Sequence, residues 1–284
     1  MGVLVLFVAA YAAVLVYFRV NENAILFHPD RGALAAAPAY LGLDSRDVKL
    51  QSADSTALLA RLIPPPRGMA DATAGWILYL HGASGNVGTF GYNEAWAQFR
   101  RMGLGVLAVD YRGFGESAGE PSEAGCYRDA TAAYEYLTGT MHVAPSRIVI
   151  YGYSLGTAVA IDLAARVPAE GLVVEGALLS VPIRGAERYP FLPVAALAQN
   201  RFASVDKIAR VTMPKLFVHA RADEIIPIAH GRRLFELAAP PKFFHEVAGG
   251  HTDAYKVDPG FFEAIARFIA DLGLPVTVMQ QPSP

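Results

Sequence analysis

Cysteine is all but missing: the 284-residue chain holds one, Cys126. A single thiol closes no intrachain disulfide and builds no cysteine-rich metal centre. An excess of either charge is missing too. Lys and Arg number 24 and Asp and Glu 26, a net charge of −2. The chain therefore lacks the basic surface on which nucleic-acid proteins depend, and no nucleic-acid partner is expected. Repeats and low-complexity tracts are absent as well. What is present is apolar, 53% hydrophobic residues against 18% charged, the reverse of a disordered composition. A chain of this length buries about three quarters of its unfolded surface, so one core can hold it.

Charge is missing altogether from residues 2–18, which are almost wholly aliphatic and aromatic. At about 1.5 Å per residue, a helix over this run and on to Val20 spans roughly 26–30 Å, enough for bilayer hydrocarbon. Arg19 is placed to snorkel towards headgroups, with Tyr17 and Phe18 at the interface. The expectation is a single-pass N-terminal membrane anchor. A signal peptide fits less well, because no Lys or Arg precedes the run. Ala10-Tyr11-Ala12 imitates a cleavage site but lies inside it. A buried core helix is the third reading. Arg19 and Arg31, both after the run, lean the following domain towards the cytoplasmic side.

From residue 48 onward, short β-rich runs alternate with helical stretches. Strands are expected at 48–51, 57–63, 76–80, 106–110, 147–151, 173–180, 215–219 and 243–247. Helices are expected at 93–101, 123–137, 155–166, 230–238 and 261–272. Several of the strands are continuously apolar, as in a parallel sheet covered on both faces. The fold class is therefore α/β, a mostly parallel sheet flanked by helices. The first two strands lack a helix between them and should pair antiparallel. Residues 181–214 break the alternation and read as an insertion between two strands.

The pattern Gly-x-Ser-x-Gly occurs twice, as Gly152-Tyr153-Ser154-Leu155-Gly156 and as Gly115-Glu116-Ser117-Ala118-Gly119. It signals a nucleophile only between a strand and a helix, on a sharp turn. Ser154 has that context: Ile148-Val149-Ile150-Tyr151 precede it and an apolar helical run follows directly. Ser117 does not, because Tyr111-Arg112-Gly113-Phe114 separate it from its strand, and it reads as a loop serine.

A serine hydroxyl needs a base to take its proton. Of seven histidines, His251 stands out, in Gly249-Gly250-His251 between the last strand and the last helix. The orienting carboxylate should follow an earlier strand. Asp223 lies in the loop after 215–219, with Glu224 and Asp253 as rivals. Ser154, Asp223 and His251 then follow the chain order Ser…Asp…His of folds with such an elbow. An oxyanion hole would use the backbone N–H of Leu155 and of Ala83, in His81-Gly82-Ala83-Ser84-Gly85-Asn86, with Ser84 as runner-up. His81 and Asn86 are expected to hold that loop, and Arg112 to bond backbone carbonyls in the floor of the site. This chemistry requires neither metal nor organic cofactor.

Together His81-Gly82…Gly85-Asn86, 110–117, Gly152–Gly156, Asp223 and Gly250-His251 resemble the α/β-hydrolase superfamily over about residues 45–272. The apolar N-terminus, Leu26-Phe27-His28-Pro29, and Tyr189-Pro190-Phe191-Leu192-Pro193 with Arg201-Phe202 are similar to the membrane-anchored α/β-hydrolase domain-containing serine hydrolases. The resemblance implies an α/β-hydrolase fold and hydrolysis of acyl esters or thioesters, of lipids or acylated proteins, near a membrane. Ala203 stands where a close match carries Asp.

The expected organisation is an anchor at 1–20, a connecting segment at 21–44, and an α/β-hydrolase domain at 45–284 with a cap at 181–214. Tyr189, Phe191, Leu192, Val194, Leu197 and Phe202 are candidates for an acyl pocket. Residues 184–215 are rich in Lys and Arg, and this face is expected to meet anionic lipid. A peptidase using the same triad and a non-catalytic binding protein are the rival readings.

Overall fold

Each central strand sends alternate residues to opposite faces, and both faces are covered. In the computed structural model, which describes residues 2–71 and 73–277, the chain opens with α1 (Gly2–Val20), α2 (Glu22–Leu26) and β1 (His28–Pro29). There follow β2 (Arg46–Gln51), β3 (Ala57–Ile63), β4 (Trp76–Leu80), β5 (Ser84–Gly85), α3 (Phe90–Arg101), β6 (Gly105–Val109) and α4 (Glu123–Glu135). Next come β7 (Ile148–Tyr153), α5 (Gly156–Ala164), β8 (Gly171–Glu175), α6 (Val181–Arg188) and α7 (Val194–Leu197). The chain continues through β9 (Lys215–Ala220), α8 (Ile228–Leu237), β10 (Lys242–Val247), α9 (Ala254–Val257) and α10 (Phe261–Asp271).

Among the described residues, eight strands form one sheet in the order β10-β9-β8-β7-β4-β6-β3-β2. β3 runs antiparallel to both β2 and β6, while the other neighbours pair in parallel. Leu78, Leu80, Ile150 and Val174 join one core with Cys126 and Ala130 of α4 and Ala158 and Ile161 of α5. Ile77, Tyr79, Val149 and Tyr151 join a second core with Trp96 and Phe99 of α3 and Ile265 and Ile269 of α10. The two-residue period of the strands explains why they read as unbroken apolar runs.

One expectation changes, and one pairing was not foreseen. The run at 173–180 is strand only as far as Glu175, because the chain turns at Gly176, whose φ is +62°. Leu178 and Leu179 are buried loop residues, which apolarity alone does not separate from strand. Ser180 then caps α6 by accepting a hydrogen bond from Ile183 N. The sequence also hid a two-residue parallel ladder between β1 and β5. It ties the N-terminal segment to the loop after β4: His28 N donates to Ala83 O at 2.8 Å and Asp30 N to Gly85 O at 2.9 Å.

The insertion between β8 and β9 holds α6, α7 and two short helical turns. α1 is long and apolar enough to cross a membrane, and none of its residues is fully buried against the body. The residues 278–284 of the expected hydrolase domain lie outside the described residues.

Candidate active site

Ser154 sits between β7 and α5 with φ +55°, in the left-handed region that costs a residue with a side chain roughly 1–3 kcal/mol. The flanking glycines answer to close packing. A Cβ at Gly156 would lie 2.1 Å from Leu80 O, and one at Gly152 would lie 2.6 Å from Gly156 O. Ser154 N donates to Glu175 O at 2.9 Å and Thr157 Oγ1 to Ser154 O at 2.6 Å, which hold the turn.

His251 reaches Ser154 from the loop after β10. Its Nε2 lies 2.9 Å from Ser154 Oγ and its Nδ1 2.7 Å from Asp223 Oδ2. A carboxylate only accepts, so Nδ1 carries the proton, and Nε2 is left to accept from the serine hydroxyl. Tyr153 Oη donates to His251 O at 3.0 Å, and the two rings lie 5.3 Å apart. Asp223 Oδ1 accepts from Ile225 N at 2.9 Å and Ile226 N at 2.7 Å, fixing the carboxylate from behind. Burial alone would raise the Asp223 pKa. Hydrogen bonds from His219, His251 and Ile226 outweigh it and hold the group well below the usual carboxylate range.

The rivals are engaged elsewhere. Glu224 accepts from His251 N at 3.2 Å rather than from the ring, and Asp253 accepts from Gly250 N at 2.6 Å. Ser117 is a buried loop serine: its Oγ accepts from Leu59 N at 2.9 Å and donates to Asp110 O at 2.8 Å.

The loop after β4 packs on Ser154, and a Cβ at Gly82 would stand 3.2 Å from Ser154 Cβ. Among the described residues, neither Ala83 N–H nor Leu155 N–H donates to a backbone carbonyl. Ser84 lies within β5, where its carbonyl accepts from Tyr92 Oη at 3.2 Å. His81 is fully buried and its Nδ1 lies 2.8 Å from Gly82 O. Asn86 accepts from Gly88 N at 2.7 Å and donates to Asp30 O at 3.2 Å, so it pins the loop. Arg112 departs from expectation. It bonds carboxylates, Asp129 at 2.7 Å and Asp54 at 2.8 Å, rather than carbonyls. A buried guanidinium needs compensating charge that carbonyls do not supply.

One site residue escaped the sequence reading. Glu175, at the end of β8, lines the cavity floor and accepts from Tyr151 Oη at 2.6 Å. Its signal was a lone charge in an apolar run. Burial raises its pKa from 4.5 to about 7, against opposing contributions from Tyr151 and His251. A carboxyl whose folded-state pKa is raised stabilises the fold below its unfolded pKa, and that stability is lost as pH rises through the folded value. Wild type should therefore lose roughly 2–3 kcal/mol between about pH 4.5 and pH 7, the linkage equivalent of this shift. Glu175→Gln should not lose it. Denaturant melts at pH 5 and pH 8 test this, and parallel curves for the two proteins would refute it.

Ser154 and His251 open into a cavity of about 1050 Å³, the upper end of small-molecule pockets. Tyr189, Leu192, Val194 and Leu197 line it as expected. Phe191 instead points outward, 64% exposed, and Phe202 is fully buried in the core near Phe27. Phe18, Ile25 and Leu26 of the N-terminal segment complete the wall. Of the basic residues of 184–215, Lys207 pairs with Asp162, and Lys215, at the start of β9, donates to Ala239 O, so neither is free for lipid. Among the described residues, no cluster of His, Cys, Asp and Glu could hold a metal ion.

A family model described as "Alpha/beta hydrolase family" matches residues 77–279. An uncharacterized Mycobacterium tuberculosis protein, Rv2307c, is 33% identical over 262 residues, 92% of this chain and 91% of its own length. The lysophosphatidylserine lipase ABHD12 of Danio rerio is 33% identical over 184 residues, 58% of this chain and 48% of its own. Among solved structures, the Pyrococcus furiosus esterase Pf2001 superposes with a TM-score of 0.70 at 19% identity, covering 87% of this chain and 98% of that one. That last likeness concerns the fold.

Proposed function

The chain belongs to the α/β-hydrolase family, and from that premise we propose that it is a serine hydrolase cleaving acyl esters or thioesters beside a membrane. The observation that carries the reading is the unbroken hydrogen-bonded chain from Ser154 Oγ through His251 to Asp223. Ser154 Oγ attacks the acyl carbon while His251 Nε2 takes its proton, and Asp223 holds the imidazole tautomer and stabilises the imidazolium. The Ala83 and Leu155 amides are the donors for the oxyanion of the tetrahedral intermediate. His251 returns the proton to the leaving alkoxide or thiolate. Water, deprotonated by the same imidazole, then releases the acid from Ser154.

The family membership and the lipase relative support the acyl substrate, as does the apolar cavity next to Ser154. The exposed apolar α1 supports the membrane, with residues 1–20 as anchor, 45–284 as catalytic domain and 181–214 as its cap. The test is a matched series of p-nitrophenyl esters, thioesters and anilides of rising acyl length. Turnover should favour esters or thioesters over the anilide and extend to chains of eight or more carbons. Faster cleavage of the anilide would make the protein an amidase.

A further inference from the structure

The end of α1 and the insertion are built as one surface. Tyr11 Oη donates to Phe191 O at 2.7 Å, the Phe18 and Tyr189 rings lie 5.4 Å apart, and Arg19 Nη1 donates to Leu197 O at 2.9 Å. Two residues past α1, the Glu22 carboxylate accepts from Gln199 N and Asn200 N, both at 2.8 Å. The junction is stiff, because Asn21 N donates to Tyr17 O and Ile25 N to Asn21 O across the break between α1 and α2.

This contact reaches deep along α1. Arg19 is the last-turn cation of an otherwise uncharged helix and marks the headgroup level. Tyr11 lies about 12 Å further in at about 1.5 Å per residue, within hydrocarbon about 30 Å thick. Whatever touches Tyr11 therefore lies in the same leaflet, given the anchor reading proposed above.

The segment that touches it suits that solvent. Residues 189–198 carry no charge, and Pro190, Phe191, Pro193, Ala195 and Ala196 are exposed. Backbone polar groups in lipid need internal partners. Pro190 and Pro193 have no N–H, Tyr189 N and Leu192 N donate to Gly185 O and Tyr189 O, and Phe191 O is taken by Tyr11. The opposite side of the same segment lines the cavity through Tyr189, Leu192, Val194 and Leu197, facing Phe18.

We infer that residues 189–198 insert beside α1 into one membrane leaflet, and that long-chain acyl esters enter the cavity sideways from that leaflet, between Phe18 and the insertion. The partner of this surface is lipid hydrocarbon, and the substrate class is an acyl chain resident in the bilayer. The inference rests on the ester-hydrolase and anchor readings above.

Position and route are tested separately, on the full chain in phosphatidylcholine vesicles. Phe191→Cys carries a bimane label at an exposed position, while Cys126 is fully buried and does not compete. Lipids brominated on their acyl chains should quench it strongly and leave a label at Phe243→Cys, exposed at the start of β10, unaffected. Equal quenching at the two positions overturns the insertion. For the route, Phe191→Asp should slow hydrolysis of p-nitrophenyl palmitate held in the vesicles at least tenfold and leave soluble p-nitrophenyl butyrate unchanged. Equal effects on both esters overturn the sideways entry. If wild type hydrolyses neither ester, the ester reading fails, and the quenching result still decides where residues 189–198 lie.

Discussion

Ser154→Ala is expected to cut ester turnover by about 10⁵–10⁶-fold, the scale seen when the nucleophile of a triad is removed, and to abolish labelling by a fluorophosphonate. Ser117→Ala should label like wild type, although it shares the same five-residue pattern. The two serines differ in what their oxygens can do. Ser154 Oγ faces an imidazole nitrogen at 2.9 Å and an open cavity. Ser117 Oγ is buried and spent on Leu59 N and Asp110 O. Ser117→Ala removes a buried backbone partner and should cost stability of about 1–3 kcal/mol rather than chemistry. Labelling measured beside a thermal melt separates these effects. Full labelling of Ser154→Ala would remove the nucleophile from the proposed mechanism.

Asp223→Asn should lower kcat by about 10⁴-fold with little change in KM, as loss of the orienting carboxylate does in other serine hydrolases. The amide can present an N–H where Asp223 Oδ2 now accepts from His251 Nδ1. That favours the tautomer with the proton on Nε2, which cannot take one from Ser154. Glu224→Gln should stay within about tenfold of wild type, because the Glu224 carboxylate accepts from the His251 backbone rather than from its ring. Steady-state kinetics on all three proteins decide between these carboxylates. A near-wild-type rate for Asp223→Asn would move the role to another carboxylate.

The site is unevenly legible in the sequence. Ser154 was legible because its constraints are local. A strand, a left-handed residue and two glycines that tolerate no Cβ leave a mark on consecutive positions. His251 and Asp223 were legible by order along a parallel sheet, whose strand ends converge on one edge. Glu175 was not, because its significance arises from burial beside Tyr151 and near His251, residues of other elements. The partners of Arg112 are hidden for a related reason: Asp54 and Asp129 are 58 and 17 residues away in the chain.

The insertion divides the same way. Its position between β8 and β9 followed from the interrupted alternation, but which aromatic residues face the cavity did not. Phe191 and Phe202 have the same side chain, yet one is 64% exposed and the other fully buried. Hydrophobicity prescribes removal from water without saying which surface does the removing.

By itself, then, the sequence determined the α/β alternation, the turn that carries Ser154, the order of the polar groups behind it, and a helix apolar enough to cross a bilayer. Each is written in the period or backbone demands of neighbouring residues. Tertiary structure decided which carboxylate meets the imidazole, where Glu175 is buried, and that the N-terminal helix and the insertion share one wall of the cavity. Those depend on distances between segments far apart in the chain, which no local pattern encodes.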